Sequence, residues 1–247
     1  MGEGRVGLIA GGGALPREAA ACLAREGLET RIVGFEGVTD PAFVSAEACL
    51  RLGQVEALVE RMRGEDVASL LIVGRFDPTW AEAPSPRFAP DETARRLFAE
   101  AGPEGPVAWM ARLAAFLERE GLPLARQDVL LAALLARPGA LSRAEPTAAQ
   151  QADLVAGRAA LAVQESAVLG QAVAVHAGHV VARETLEGTD ALIRRAGAAA
   201  GAGFTLVKAA RPGQDPRLDL PAIGPTTIDV LAEAGAGALA IEAGATL

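Results

Sequence analysis

Short apolar runs bounded by glycine or charge alternate, early in the chain, with stretches whose apolar residues recur every three or four positions. Residues 5–10 (RVGLIA), 31–35 (RIVGF), 47–52 (EACLRL) and 69–74 (SLLIVG) have the length and content of buried strands. Helical periodicity fills the intervals at 16–26 and 54–63, and returns at 91–100 and 107–120. This alternation predicts a parallel sheet covered on both faces, a Rossmann-like arrangement. Residues 122–135 close that half, and the Pro, Gly and Ser content of 137–147 reads as a linker. The expectation is a Rossmann-like α/β domain over 1–136 and a second α/β domain over 148–247, with the active cleft between them.

The second half opens with a helix over 148–164 that carries Gln150, Gln151, Asp153 and Arg158 at polar positions, the last two expected to pair on its surface, with an approach to the cleft as the alternative. Residues 164–170 fit no single pattern. A hairpin is expected over 171–184, turning at Ala177-Gly178 with His176 and His179 on either side. Then come a helix over 191–199, a strand over 204–210, a helix over 226–234 and a strand over 238–244.

Composition narrows the class. With 51% hydrophobic and 22% charged residues and a mean hydropathy of +0.26, a chain of 247 residues can bury enough apolar surface to fold. Charged residues interrupt every stretch approaching the ~20 apolar positions of a membrane span. The start of the chain, MGEGRVGLIAGGG, has no basic leader and no small-residue cleavage pattern, so a cytoplasmic protein is expected. A net charge of −8 disfavours nucleic acid, and any phosphate ligand must be met by a local basic site. Cys22 and Cys49 lack metal-type spacing and read as buried free thiols. The two histidines, without further ligands at zinc spacing, argue against zinc catalysis.

Candidate chemistry concentrates between 183 and 227. Glu187-Gly188-Thr189-Asp190 links a strand-like run to a helix-like one, so Thr189 or Asp190 is expected to cap that helix. Lys208, Arg211, Gln214, Asp215, Arg217 and Asp219 fall around Pro212, Pro216 and Pro221, which leave little room for regular structure. Gly224-Pro225 fits another helix start, with Thr226 and Asp229 in a capping-box-like spacing. Cations, carboxylates and a helix N-terminus together suit a phosphate ester and a divalent metal.

Elsewhere the signals are thinner. Gly11-Gly12-Gly13 and Glu36 suggest a dinucleotide fingerprint, but Pro16 stands where its third glycine is needed, and the P-loop signature is absent. The loop is instead a candidate phosphate or sugar contact. Arg75, at a strand's C-terminal end, is a candidate for phosphate or uracil. Trp80 and Phe88 read as anchors of a Pro-rich loop, Arg112 and Arg119 as a solvated face, and Glu242 as late enough in the last strand to approach the crevice.

EGTDALIRRAG, LVKAARPGQDPRLDLPAIGP and VGLIAGGGALP resemble the metal-dependent UDP-2,3-diacylglucosamine pyrophosphatase family of the lipid A pathway, nearly end to end. The resemblance implies a two-domain hydrolase that splits the UDP-sugar's diphosphate into UMP and 2,3-diacylglucosamine 1-phosphate. By motif position it places the family's essential aspartate on Asp219 and the acid of EGTD on Asp190, as catalytic groups and ligands of Mg²⁺ or Mn²⁺. Gly11, Gly12, Gly13, Arg75, Thr189, Lys208, Arg211, Gln214, Arg217, Gly224 and Thr226 are then the substrate-binding candidates. Two departures are visible: Gly12 stands at the family's Asn position, and family members run on beyond the point where this sequence ends at Leu247. A lipid-linked nucleotide sugar as substrate leaves peripheral contact with the inner membrane open, as well as self-association. The alternatives are a non-catalytic nucleotide or lipid-phosphate binder and an NAD(P)-dependent oxidoreductase.

Overall fold

The computed structural model describes residues 4–76, 88–102, 105–163 and 170–247, so Trp80 and nearly all of 164–170 lie outside the described residues. By mutual contact the chain forms two compact units, Met1–Ala133 with Pro216–Asp219, and Leu134–Asp215 with Leu220–Leu247. Residues 137–147 are exposed throughout.

The first unit is built on β1 (Arg5–Ala10), β2 (Thr30–Phe35), β3 (Cys49–Leu50) and β4 (Val67–Val73), ordered β3-β2-β1-β4 and parallel throughout. Successive strand side chains point to opposite faces. Ile9, Val33, Phe35, Leu70 and Ile72 join one apolar cluster with Leu58 and Met62 of α2 (Val55–Gly64), Leu97 of α3 (Glu92–Ala101), and Leu113 and Leu117 of α4 (Gly105–Arg119). The alternate positions Leu8, Leu71 and Val73 are equally buried, and α1 (Leu15–Arg25) packs on these strands through Ala19, Cys22 and Leu23. Burial on both faces is what makes these strands read as unbroken apolar runs. The strand expected over 47–52 shrinks to two residues because Ala46–Ala48, rich in helix formers, closes into a 3₁₀ turn. At the far end of this half lies the one-turn α5 (Gln127–Leu130).

The second unit has three layers. β5 (Ala172–His176), β6 (His179–Arg183), β7 (Thr205–Lys208) and β8 (Ala238–Ile241) form a sheet ordered β6-β5-β7-β8, in which β5 is antiparallel to both neighbours and β7 parallel to β8. Ala172, Ala174, Phe204 and Leu206 face α7 (Thr189–Ala200) and α8 (Pro225–Glu233), meeting Leu192, Ile193, Val230 and Leu231. Val173, Val175 and Val207 turn the other way, onto Leu161 of α6 (Ala148–Ala162). Gly157 lets α6 come close, since a Cβ there would lie 2.5 Å from the Val207 side chain. Thr147 and Gln150 cap α6 with a reciprocal capping box.

The β5–β6 hairpin turns at Ala177 (φ 50°) and Gly178 (φ 78°), two left-handed residues whose twist suits a two-residue connection. Asp153 is a correction to the sequence reading. Only 4% exposed, it does not pair with Arg158 on a surface; its carboxylate accepts the Gly178 N–H at 2.7 Å and the Thr205 hydroxyl at 3.3 Å, tying α6 to the turn and to β7.

Candidate active site

At one end of the second sheet the start of β5 meets the ends of β6 and β7, because β5 runs against both. Ala172 lies opposite Lys208, Glu184 donates its N–H to the Ala172 carbonyl, and Ala209 donates to Gln171. Three side chains from three elements converge there. Glu184, 9% exposed, accepts the Gln171 N–H at 2.6 Å on one carboxylate oxygen and the Thr189 hydroxyl on the other. Thr189 in turn accepts the Lys208 ammonium at 2.8 Å, and Lys208 is only 7% exposed. Burying an acid and a lysine is costly unless each is paired and hydrogen-bonded, which this chain of contacts provides.

The helix that starts here is not capped as its sequence suggests. Its N-cap is Gly188 at φ 87°, a conformation that favours glycine, and no side chain caps it. Thr189 and Asp190 are its first two helical residues, and their oxygens turn elsewhere: Thr189 to Glu184, and Asp190 to the Thr227 hydroxyl, which donates to it at 3.5 Å. Thr227 sits in the first turn of α8, so the N-termini of α7 and α8 lie side by side. Gly197 permits that packing, since a Cβ there would meet the Ala234 carbonyl at 2.7 Å. Two helix starts present positive dipole ends, which favour an anion, although α8 opens with Pro225, which has no N–H, and its Thr227 N–H is taken by the Gly224 carbonyl at 3.0 Å. The N-cap of α8 is Gly224, which puts Thr226 and Asp229 at the second and fifth helical positions, outside capping-box register; both are exposed.

After β7 the chain makes a tight turn. The Arg211 N–H donates to the Gln214 side chain at 2.9 Å and Gln214 N–H returns to the Arg211 carbonyl at 3.0 Å, with Gly213 at φ 72°. Pro then positive-φ Gly is the type II pattern. Glu242, just past β8, accepts the Ala210 N–H at 3.2 Å and so fixes where this turn begins. The chain end is held too, Leu247 exchanging backbone hydrogen bonds with Pro221 and Ile223.

The next four residues belong to the first unit. Buried Gln127, 3% exposed, donates its N–H to the Pro216 carbonyl and its side-chain amide to the Ile72 carbonyl, both within 2.9 Å. Leu218 packs against the first core, Arg217 pairs with Glu118 at 2.8 Å, and Asp219 is exposed. Sequence reasoning did not single out Gln127 or Glu184: the partners of Gln127 lie far along the chain, and Glu184 carries no residue type or spacing that marks it although Thr189 is only five residues on.

The glycine loop of the first unit is occupied largely by its own backbone. Gly11 N–H donates to the Val73 carbonyl, and Gly12 and Arg75 exchange both N–H groups at 2.9 Å. A Cβ on Gly11 would meet Phe76 and the Gly74 backbone within 2.9 Å, and one on Gly74, at φ 96°, would meet Gly12 and Pro16. The close crossing of two chains thus accounts for Gly11 and Gly74. Gly13 and the Arg75 side chain are exposed. Both cysteines are free; Cys22 is buried, whereas Cys49 is half-buried rather than buried as expected, and that partial burial raises the thiol above its ordinary pKa.

Oxygen donors dominate both candidate regions, a set that suits Mg²⁺ or Mn²⁺ rather than a softer ion. Among the described residues no three His, Cys, Asp or Glu side chains gather as a cage. That is compatible with Mg²⁺, which is usually held by one or two carboxylates together with substrate phosphates and water. Among the described residues no helix is long and apolar enough to cross a membrane.

Comparison with known proteins covers both units. Residues 5–134 match the LpxI N-terminal domain and residues 137–247 the LpxI C-terminal domain. The chain is 29% identical to the UDP-2,3-diacylglucosamine pyrophosphatase LpxI of Caulobacter vibrioides, over 98% of its own length and 90% of that protein's. With both domains matched in order, the chain belongs to the LpxI family.

Proposed function

We propose that this protein hydrolyses the diphosphate of UDP-2,3-diacylglucosamine, water entering the P–O–P anhydride to give UMP and 2,3-diacylglucosamine 1-phosphate. The observation that carries the reading is the pair of LpxI domain matches across residues 5–134 and 137–247, joined to the meeting of Asp190, Thr189 and Lys208 at two helix N-termini.

The reaction moves a poor nucleophile onto a polyanion, so the protein must gather positive charge and orient the phosphates. Lys208, held by Thr189, offers N–H donors to phosphate oxygens, and the positive dipole ends of α7 and α8 add to that attraction. Arg211, on its tight turn, and Arg217 are the further cations assigned to the diphosphate. Asp190 and Asp219 are the carboxylates assigned to Mg²⁺ or Mn²⁺, which would neutralise phosphate charge and lower the pKa of bound water. Asp219 is exposed, so water can reach it, as a general base requires.

The test is release of UMP from UDP-2,3-diacylglucosamine. Asp219→Ala should reduce kcat by about 10³-fold or more, the scale on which loss of one group that acts as a unit with others is felt. Its melting temperature should stay near wild type. Chelation of divalent ions should abolish turnover, and Mg²⁺ or Mn²⁺ should restore it. A folded Asp219→Ala protein with full activity sinks the assignment; substrate binding without metal-stimulated cleavage in the wild type would make it a binder instead.

A further inference from the structure

We propose that Glu184 is a positioning residue of this site: it fixes the direction of the Thr189 hydroxyl and thereby holds the Lys208 ammonium where a phosphate oxygen can reach it. The inference rests on the reading of Lys208 as a diphosphate ligand and adds a residue that the sequence motifs did not supply.

Hydrogen-bond polarity fixes the order of the three groups. An ionised carboxylate only accepts and an ammonium only donates, while a hydroxyl does both. One Glu184 oxygen is taken by the Gln171 N–H, so the other receives the Thr189 proton. The hydroxyl's lone pairs are then turned to Lys208. Only one order is allowed: ammonium to hydroxyl to carboxylate. The three groups come from the end of β6, the first turn of α7 and the end of β7, so the ammonium is clamped to two elements besides its own.

Stability alone does not account for this arrangement. A buried acid and base gain most from direct contact, and replacing both by apolar side chains is often neutral or better. Here a hydroxyl is inserted between them, which satisfies Glu184 while using one of the three ammonium N–H groups. The other two remain for a ligand.

Glu184→Gln tests this with almost no change of shape. The Gln171 N–H still needs an acceptor, so the amide oxygen must face it and the amide nitrogen must face Thr189. The hydroxyl then accepts from the amide and turns its proton toward the ammonium. With purified full-length protein and UDP-2,3-diacylglucosamine, kcat/KM should fall about 10-fold or more, the loss expected of one charged hydrogen bond, while the melting temperature moves little. In a Lys208→Met background the same substitution should change kcat/KM by less than about 2-fold, because the group it positions is gone. An equal loss in both backgrounds, or none in wild type while Lys208→Met is crippled, overturns the role of Glu184 alone. Full activity in Lys208→Met overturns the reading of Lys208 as well. Should Lys208→Met fail to fold, Thr189→Val takes its place: it removes the link and keeps both charges, and Glu184→Gln should again add less than about 2-fold.

Discussion

In the first unit the turn after β1 is held mainly by backbone, Gly11 and Gly12 bonding to Val73 and Arg75 with the Thr39 hydroxyl donating to the Ala10 carbonyl, whereas in the second unit the ends of β6 and β7 are held by the side chains of Glu184, Thr189 and Lys208. Acids differ in the same way. In the first unit Asp91 caps α3 at 2.8 Å and reaches the Glu56 N–H at 2.7 Å, while Glu56 accepts the Thr93 N–H, all at exposed or half-buried positions. In the second unit Asp153 and Glu184 are buried. Of the three glycines after β1, Gly11 serves the chain crossing while Gly13 stands exposed with open space around it, and the buried acids of the second unit hold a turn and a strand end. A close backbone approach explains a glycine such as Gly11, whereas buried polar groups such as Asp153 and Glu184 are explained by what they bond.

The comparison breaks first at Gly74. Alanine there combines left-handed strain at φ 96° with overlap against Gly11, Gly12 and Pro16, and should cost roughly 3 kcal/mol in chemical denaturation. Gly13, at φ 88° with open space around it, is the control: alanine should cost about 1 kcal/mol, from strain alone. Equal losses at the two positions would remove the chain-crossing explanation. On the side-chain side, Asp153→Ala strips acceptors from the Gly178 N–H and the Thr205 hydroxyl, and should destabilise by about 2 kcal/mol. A neutral result would mean that water replaces the carboxylate and that the hairpin turn is not held from α6.

The smallest effect lies at Glu56. The Thr93 N–H, and then its hydroxyl, lower the Glu56 pKa below the ordinary 4.5. A lowered carboxylate stabilises the fold above its unfolded value, and that contribution is lost as pH falls through the folded one. The melting temperature of wild type should therefore exceed that of Glu56→Gln at neutral pH, with the gap closing below pH 4.5. A gap that is constant with pH would assign the difference to packing.

Much of the architecture is legible from the sequence because its signals are local. Apolar runs mark β1, β2 and β4, period-3.6 stretches mark α1, α2 and α3, and Ala177-Gly178 marks the hairpin. The Rossmann-like parallel sheet follows from that alternation, and the family from the EGTD and RLDLPAIGP runs. What escapes is which partner each polar side chain takes. Thr189 and Asp190 look like caps because their type and place fit, yet they bond Glu184 and Thr227. Asp153 looks solvated because polar positions on a helix usually are, and Gln127 looks like nothing in particular.

The return of Pro216–Asp219 to the first unit has a practical consequence for dissecting the molecule. Neither unit is a continuous piece of the gene product. A fragment beginning at residue 137 would carry Pro216 and Arg217 away from Gln127 and Glu118, the groups that seat them. A fragment ending at residue 134 would leave those seats vacant. Activity regained on mixing the halves would therefore report the reseating of four residues rather than the folding of either half.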